Sequence, residues 1–309
     1  MTPTHPALLL TAGLGLRLDP LTRVRAKPAV PVAGEPLARR IVRWLVRSGV
    51  RDITCNLHHL PHTLTAVLGD GTDLGAAIRY SWEQPLLLGS AGGPRQALDI
   101  LGADRFFLVN GDTLTDVSLD AVRVAHEESG AEATLALVPN QEPLRYGGVV
   151  LSPDGSVRRF VPRGPAATGS FHFIGVQLVE GRVFADLPKG VAADSFTGVY
   201  TALMARLAGS VRGVVVDATF FDIGTVADYR RTSAALAADA GHMGVGVHVA
   251  PNAQVTRSIL WDDITIGEGA SIDACIVTDG VWVPAGAVYS RAVLLRDGRG
   301  NLSALPMPD

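Results

Sequence analysis

The segment LLLTAGLGLRLDPLTRVRAKPAVPVAGEPLARRIVRWLVR, residues 8 to 47, decides how the rest of the chain reads. An apolar run from Ala7 to Leu10 has the length and composition of a buried strand, and it breaks into a loop at Ala12, Gly13, Leu14 and Gly15. Arg17 and Lys27 come next. From about Pro36 to Arg47 the spacing of Leu37, Ile41, Trp44 and Leu45 puts apolar residues on one helical face. Strand, glycine loop, cations and helix in that order describe a phosphate site. Glycine lets backbone N–H groups come close to an anion, and Arg and Lys neutralise charge that no neutral side chain can.

Gly13-Leu14-Gly15 does not complete a dinucleotide fingerprint, because position 18 is leucine, and no Gly-Lys-Ser/Thr is present after it to make a P-loop. A plain tight turn would use the same two glycines. Composition favours the phosphate reading. Of 27 lysines and arginines only Lys27 and Lys189 are lysine, so a compact ammonium inside the Pro-rich loop Ala26-Lys27-Pro28 points to point-charge contact with phosphate.

The same residues resemble the signature of the sugar-1-phosphate nucleotidyltransferases: Ala/Gly-Gly-x-Gly-Thr-Arg-Leu, then Pro-Leu-Thr, Lys-Pro and Pro-Val. Here it stands as Ala12 to Leu18, Pro20-Leu21-Thr22, Lys27-Pro28 and Pro31-Val32. Leu16 takes the place of the family's threonine, which removes a hydroxyl from the phosphate loop.

The chain has 309 residues, 47% hydrophobic and 18% charged, enough for one large or two ordinary domains with a full core. A net charge of −3 gives no reason to expect nucleic acid. Residues 17 to 51 hold nine Lys/Arg against Asp19 and Glu35, which suits a small anionic ligand, although Arg39, Arg40, Arg43 and Arg47 could form only the wet face of the helix. Cys55 and Cys275 lie far apart in apolar runs and support neither a disulfide nor a zinc site. No apolar run reaches about 18 residues and no signal segment stands at the start, so no membrane association and a cytoplasmic location are expected.

Strands and helices then alternate. Asp52 to Leu57, Ala77 to Trp82, Arg105 to Val109 and Glu132 to Val138 read as strands, with helices at Pro61 to Leu68 and Leu119 to Glu128. That alternation implies a Rossmann-like α/β fold, a mostly parallel sheet with helices on both faces. Ligands collect beyond the carboxyl ends of such strands, so the loops after Leu10, Trp82 and Val109 should converge.

The loop Glu83 to Gly93 would be a strand-to-helix turn capped by Ser90 if taken alone. It resembles the family's Glu-x-Pro-Leu-Gly-Thr-Ala-Gly segment, which implies that Gln84, Gly89, Ser90 and Gly92 bind the nucleotide, the glycines leaving room for its rings. Asn110-Gly111-Asp112-Thr113 could be a hairpin turn, but Thr115 to Ala125 reads as loop and helix rather than a partner strand. A carboxylate at the end of a central strand suits Mg²⁺. The family resemblance assigns the metal to Asp112 and, through Phe221-Asp222-Ile223-Gly224-Thr225, to Asp222, with Thr225 capping a helix over 226–238.

From about Gln141 short extended runs at Tyr146 to Val150, Val157 to Val161 and Phe171 to Val179 suggest an inserted antiparallel section, with helices near Phe184 and from Thr197 to Leu207 and a strand at Val211 to Val216. In the resemblance this section forms the sugar-phosphate pocket, with Tyr146, Gly147, Gly148 and Gly175 in it. Pro162-Arg163-Gly164 stands where the family has Glu-Lys-Pro, so Arg163 can reach a phosphate but the acidic partner for sugar hydroxyls is missing; a plain loop cation is the alternative.

The last sixty-odd residues repeat. Val249 to Val255, Ile266 to Ile272 and Val283 to Tyr289 superpose at a shift of 17 residues taken twice, and the same shift aligns Ile259-Leu260 with Ile276-Val277 and Val293-Leu294. Small aliphatics every five or six residues are the hexapeptide pattern of a left-handed β-helix, here of about three coils. Its open end would bury against the first domain or a second subunit, which leaves room for a homo-oligomer. The expected domains are 1–240 and 241–309.

The resemblance implies attack of a sugar 1-phosphate on a nucleoside triphosphate with pyrophosphate leaving, Arg17 and the Gly13 to Gly15 backbone holding the pyrophosphate and Lys27 near the α-phosphate. Glu83-Gln84-Pro85 leans toward GTP and mannose 1-phosphate. A thymidylyl- or uridylyltransferase acting on glucose 1-phosphate, a non-catalytic nucleotide-sugar-binding relative and a β-helix acyltransferase are the alternatives; for the last, only His242 and His248 lie near the coils.

Overall fold

A computed structural model describes residues 5–237 and 242–308. The expected helix end at Ala238 and the expected domain boundary at 240 fall outside these residues. The chain packs as two compact units, one formed by residues 1–13, 41–61 and 68–221, the other by residues 14–40, 62–67 and 222–309. Packing therefore groups most of the signature loop with the C-terminal repeats.

The first unit is built on β1 (Ala7–Leu10), β2 (Asp52–Leu57), β3 (Ala77–Trp82), β4 (Arg105–Asn110), β5 (Thr113–Thr115), β6 (Ala133–Pro139), β7 (Gly148–Leu151), β8 (Val157–Val161), β9 (Phe171–Glu180) and β10 (Val211–Val215). Along the chain, α1 (Leu37–Arg47), α2 (Pro61–Leu68), α3 (Gly89–Leu101), α4 (Leu119–Ser129), α5 (Arg182–Ala185) and α6 (Thr201–Arg206) alternate with them. The sheet order is β8-β7-β9-β4-β1-β2-β3, with β6 on β9 and β10 on β6. Strands β3, β2, β1 and β4 run parallel, as an alternating pattern requires.

Strand β9 departs from the reading that places it in a separate antiparallel insertion. It enters the main sheet between β4 and β6, antiparallel to both, while its first residue also pairs with β7. A register shift between Phe173 and Gln177 lets one strand serve both partners, and Gly175 within it has φ of 79°. A side chain there would also meet Asn110 Cβ at 2.9 Å, so glycine is required twice over.

Buried Leu8, Phe106, Leu108, Leu135, Leu137, Val179, Phe184 and Tyr200 form the core of this unit. Burying each such side chain stabilises by about 1.5–3 kcal/mol. On α1 the buried stripe is Leu37, Ala38, Ile41, Val42 and Leu45, with Trp44 at its half-buried edge rather than its centre. Cys55 and Cys275 are free and buried.

The second unit contains α7 (Val226–Leu236) and the repeats. Three short parallel sheets hold them in register: His248, Thr265 and Trp282 pair in one, Gln254, Ser271 and Val288 in the next, and Ile259, Ile276 and Val293 in the third. Each step is the 17-residue shift read in the sequence, and Ile264, Ile266, Ile272, Ile276, Val283 and Val293 fill the interior of this left-handed β-helix. Leu302–Pro306 pairs antiparallel with Ala292–Arg296 and covers the C-terminal edge of the third of these sheets.

Candidate active site

In the first unit the loops beyond β1, β3 and β4 converge. The Asn56 side chain at the end of β2 is the hinge. Its Oδ1 accepts from Thr11 N at 2.5 Å and Ala12 N at 3.2 Å, and its Nδ2 donates to Glu83 Oε1 at 2.6 Å. Glu83, wholly buried, also accepts from Leu88 N at 2.7 Å, and its own carbonyl meets His58 Nδ1 at 2.8 Å. Burial pushes the Glu83 carboxyl above its ordinary range, against the opposing pull of the Leu88 and Asn56 donors. Gly93 makes way for it, since a Cβ there would stand 2.5 Å from Glu83 Oε1. On the other side Gly111 N donates to Leu10 O at 2.9 Å, and a Gly111 Cβ would collide with that carbonyl at 2.4 Å. Glycine is thus obligatory just before Asp112, which delivers Asp112 beside the end of β1. Its Oδ1 accepts from Thr113 Oγ1 at 3.4 Å.

Sequence reasoning alone does not single out Asn56, and it meets Glu83 only as the first residue of the motif that resembles the family's nucleotide loop. The signal available is a polar Asn inside the apolar run Ile53 to Leu57, and a carboxylate directly after a strand.

Gln84 is exposed on the loop after β3. At Gly89 and Gly92 the direction a side chain would take meets the chain itself: a Cβ at Gly92 would lie 2.4 Å from Val191 O, and one at Gly89 2.8 Å from Ala193 O. Ala91 N donates to Ala193 O at 2.9 Å. Ser90 does not cap α3, whose side-chain cap is lacking at Leu88. Its hydroxyl instead donates to Asp194 Oδ2 at 3.1 Å and accepts from Ser195 N at 2.9 Å, because the strap 191–195 supplies the partners that a capping residue would have supplied.

Tyr146, Gly147, Gly148 and Arg163 come together. A Gly147 Cβ would approach Val161 O at 3.1 Å and Arg163 N at 3.8 Å, and one on Gly148 would strike Ser170 Oγ at 2.0 Å. The Tyr146 ring lies 4.2 Å from His172 and 5.7 Å from Phe220, under the Arg145 guanidinium at 4.8 Å. Burial lowers the His172 pKa and favours the neutral ring in this stack. Arg163 is exposed. Gly175 lies against Asn110.

In the second unit Gly15 adopts the left-handed conformation, φ 63° and ψ 33°, and opens a short 3-10 turn, Leu16–Leu18. A Cβ there would meet Thr22 Cγ2 at 2.8 Å and Lys27 Cβ at 3.1 Å, so the buried Lys27 stem runs directly against the glycine. Arg17 and Asp222 also approach each other. Both guanidinium Nη atoms and Asp222 Oδ2 lie 3.2 Å from the place a Gly224 Cβ would occupy. Thr225 caps α7 in a capping box with Asp228, as expected. Leu16 is 75% exposed. Arg39 and Arg40 are not a wet face, since they donate to Val67 O at 2.8 Å and Val32 O at 2.8 Å.

Asp222 is the last residue of a short strand, β11 (Phe220–Asp222). The chain just before that strand is tied down within the first unit. Thr115 Oγ1 donates to Thr219 O at 2.7 Å, and Thr219 N donates to Asp116 Oδ1 at 2.8 Å.

An α/β sheet with a glycine loop and a carboxylate at its strand ends, continued by a hexapeptide β-helix, defines the class. The chain belongs to the nucleotidyl transferase family, whose pattern it matches over residues 6–239, and residues 238–291 match the GlmU-like C-terminal hexapeptide. It is 29% identical over 298 residues to a mannose-1-phosphate guanylyltransferase of Mycobacterium tuberculosis, covering 92% of this chain and 83% of that protein. It is 34% identical over 231 residues to an N-acetylmuramate α-1-phosphate uridylyltransferase of Neisseria meningitidis serogroup B, covering 74% of this chain and 96% of that one. The fold is shared with the crystal structure of HddC from Yersinia pseudotuberculosis, with a TM-score of 0.65 and 21% identity over 75% of this chain and 99% of that one.

Proposed function

We propose that the protein joins a nucleoside triphosphate to a sugar 1-phosphate, releasing pyrophosphate, with GTP and mannose 1-phosphate as the preferred pair. The observation that carries the reading is the meeting of Gly15 and Lys27 in one loop. A left-handed glycine beside a buried lysine stem presents backbone N–H groups and an ammonium to the same anion. Guanylyltransferase relatives spanning most of the chain support the choice of base and sugar.

A sugar-phosphate oxygen attacks the α-phosphorus in line. The chain contributes position and charge rather than covalent chemistry. Arg17 and the Gly13–Gly15 backbone hold the departing pyrophosphate, Lys27 neutralises the α-phosphate, and Ala12, Leu14 and Gln84 border the nucleotide. Gly89, Ser90 and Gly92 contribute by shaping that border. Tyr146, Gly147, Gly148, Arg163 and Gly175 face the sugar phosphate.

Asp112 and Asp222 are the candidate Mg²⁺ ligands. Their carboxylate oxygens are the hard donors that Mg²⁺ prefers. That fits an ion held by one or two carboxylates and completed by substrate phosphates. Held there, the ion would supply charge neutralisation to the phosphates. The domains are proposed as 1–240 for catalysis and 241–309 for the β-helix, which could also join copies of the chain. No described helix is long and apolar enough to cross a membrane.

Pyrophosphate release from a panel of triphosphates and sugar phosphates tests the reading. Preference for GTP with mannose 1-phosphate supports it. Preference for UTP or dTTP shifts the substrate to the uridylyl or thymidylyl class, as the Neisseria relative would suggest. Binding of a nucleotide sugar without pyrophosphate release overturns it in favour of a non-catalytic relative, to which the exposed Leu16 is the pointer.

A further inference from the structure

Arg25 is silent in the sequence, yet its guanidinium is bonded to two aspartates and a backbone carbonyl. Its Nε and Nη2 grip Asp279 as a fork at 2.6 and 2.7 Å, and Nη2 also reaches Asp262 at 2.6 Å. Asp262 and Asp279 are 17 residues apart, one above the other on successive coils. The same phase in the flanking coils holds Val245 and Arg296, so only these two coils can receive the cation. The guanidinium stacks 5.5 Å from the centre of the wholly buried Trp261 ring. Trp261 Nε1 donates to Tyr229 Oη at 2.9 Å, which donates on to Pro31 O at 2.8 Å.

These bonds bracket Lys27. Arg25 stands two residues before it, Arg25 Nη1 donates to Ala29 O at 3.4 Å two residues after it, and Ala26 N donates to Thr63 Oγ1 at 3.0 Å. Facing them, the Lys27 stem presses on Gly15. A paired aspartate docking site on the repeats, clamped to the backbone on both sides of one lysine, has a geometry that aims the lysine.

We infer that the β-helix is part of the apparatus that positions Lys27, with Arg25 as the positioning residue and Asp262 and Asp279 as its anchors. This rests on the role given to Lys27 above. The repeats then set the rate of the reaction as well as offering a surface for assembly. Arg25 touches no reacting atom and acts only through its neighbour.

The test is a cycle of variants on the full chain. Arg25→Met, and Asp262→Asn with Asp279→Asn, should each lower kcat at least about tenfold with KM for the triphosphate within about twofold, because a misplacement of about 1 Å can cost up to about a hundredfold. In a Lys27→Ala background Arg25→Met should cost less than about twofold more, since two residues acting as one unit are not additive. Asp273→Asn breaks the Arg257 pair elsewhere on the repeats and should leave the rate unchanged. Amide exchange at residues 26–29 should quicken in Arg25→Met while the unfolding midpoint of the repeats holds. An equal loss in both backgrounds, an unchanged kcat, or unchanged exchange at 26–29 overturns the inference. If the unmodified protein releases no pyrophosphate from any triphosphate, the activity reading fails, and the exchange result alone then supports or overturns the clamp.

Discussion

Replacing Asn56 by alanine probes the hinge of the first unit. The substitution removes the acceptor of Thr11 N and Ala12 N and the donor to Glu83 Oε1. A buried group left unsatisfied costs about 1–3 kcal/mol, and more when it is charged. The bond to Ala12 N is long at 3.2 Å and contributes least. Water entering the vacated space recovers part of the remainder, so the net loss should be about 4 kcal/mol. Against a native stability of about 5–15 kcal/mol the variant stays folded in the cold but unfolds at much lower urea. Urea unfolding followed by circular dichroism measures this, with an unchanged slope showing that only stability moved. Asn56→Asp sharpens the test. It keeps the acceptor but sets a second carboxylate beside Glu83, and two carboxylates so close cannot both ionise. Its deficit should therefore shrink from about pH 8 to about pH 5. A loss below about 1 kcal/mol for Asn56→Ala, or a pH-independent deficit for Asn56→Asp, would refute the hinge.

Other consequences are as concrete. Asp112→Asn should lower turnover by about two orders of magnitude or more while the melting temperature stays near that of the parent; near-normal turnover removes Asp112 from the metal. Lys27→Ala should abolish most turnover without lowering thermal stability by more than a few degrees, and an unchanged rate would return it to a structural role. Gly148→Ala should destabilise by about 1–3 kcal/mol through the collision with Ser170 Oγ, and Ser170→Ala in the same chain should recover part of that loss in urea unfolding. His126 and Glu180, 1% and 5% exposed, are bonded to each other at 3.2 Å. Burial lowers the His126 pKa, so the unfolded chain binds more protons below about pH 6.5 and stability falls on acidification through that point. Glu180 is held below its usual range by Arg105 and His126 despite its burial, which adds a second loss below about pH 4.5. His126→Gln should flatten the first limb of the stability curve and only weaken the second, because Arg105 still holds Glu180, as denaturation at a series of pH values will report.

Much of this architecture is legible because local patterns carry it. The repeat shift alone yields the register of all three β-helix sheets, and alternating elements yield the parallel half of the main sheet. Strand β9 escapes such a reading because its partners are remote in sequence and its double use depends on the backbone bend at Gly175, which no periodicity shows. The glycines at 89 and 92 also make way for the strap 191–195, a partnership a hundred residues away that no local pattern shows. The closing strand Leu302–Pro306 is hidden for a different reason: its alternation is short and ends in proline. Residues whose roles depend on a chain of partners are harder to find: Asn56 and Glu83 show only a polar group where an apolar run or a strand end stands, and Arg25 shows nothing of the pair of aspartates it meets. By contrast Gly15, Lys27 and the Thr225 cap announce themselves through residue type and spacing.

Catalysis as proposed here requires one ion shared by Asp112 and Asp222. Crystals grown with GTP and Mn²⁺, read by anomalous scattering, test that most directly. The expected result is a manganese peak about 2.1 Å from an oxygen of each carboxylate and bonded to the triphosphate. A peak bonded to the triphosphate but to neither aspartate would contradict it.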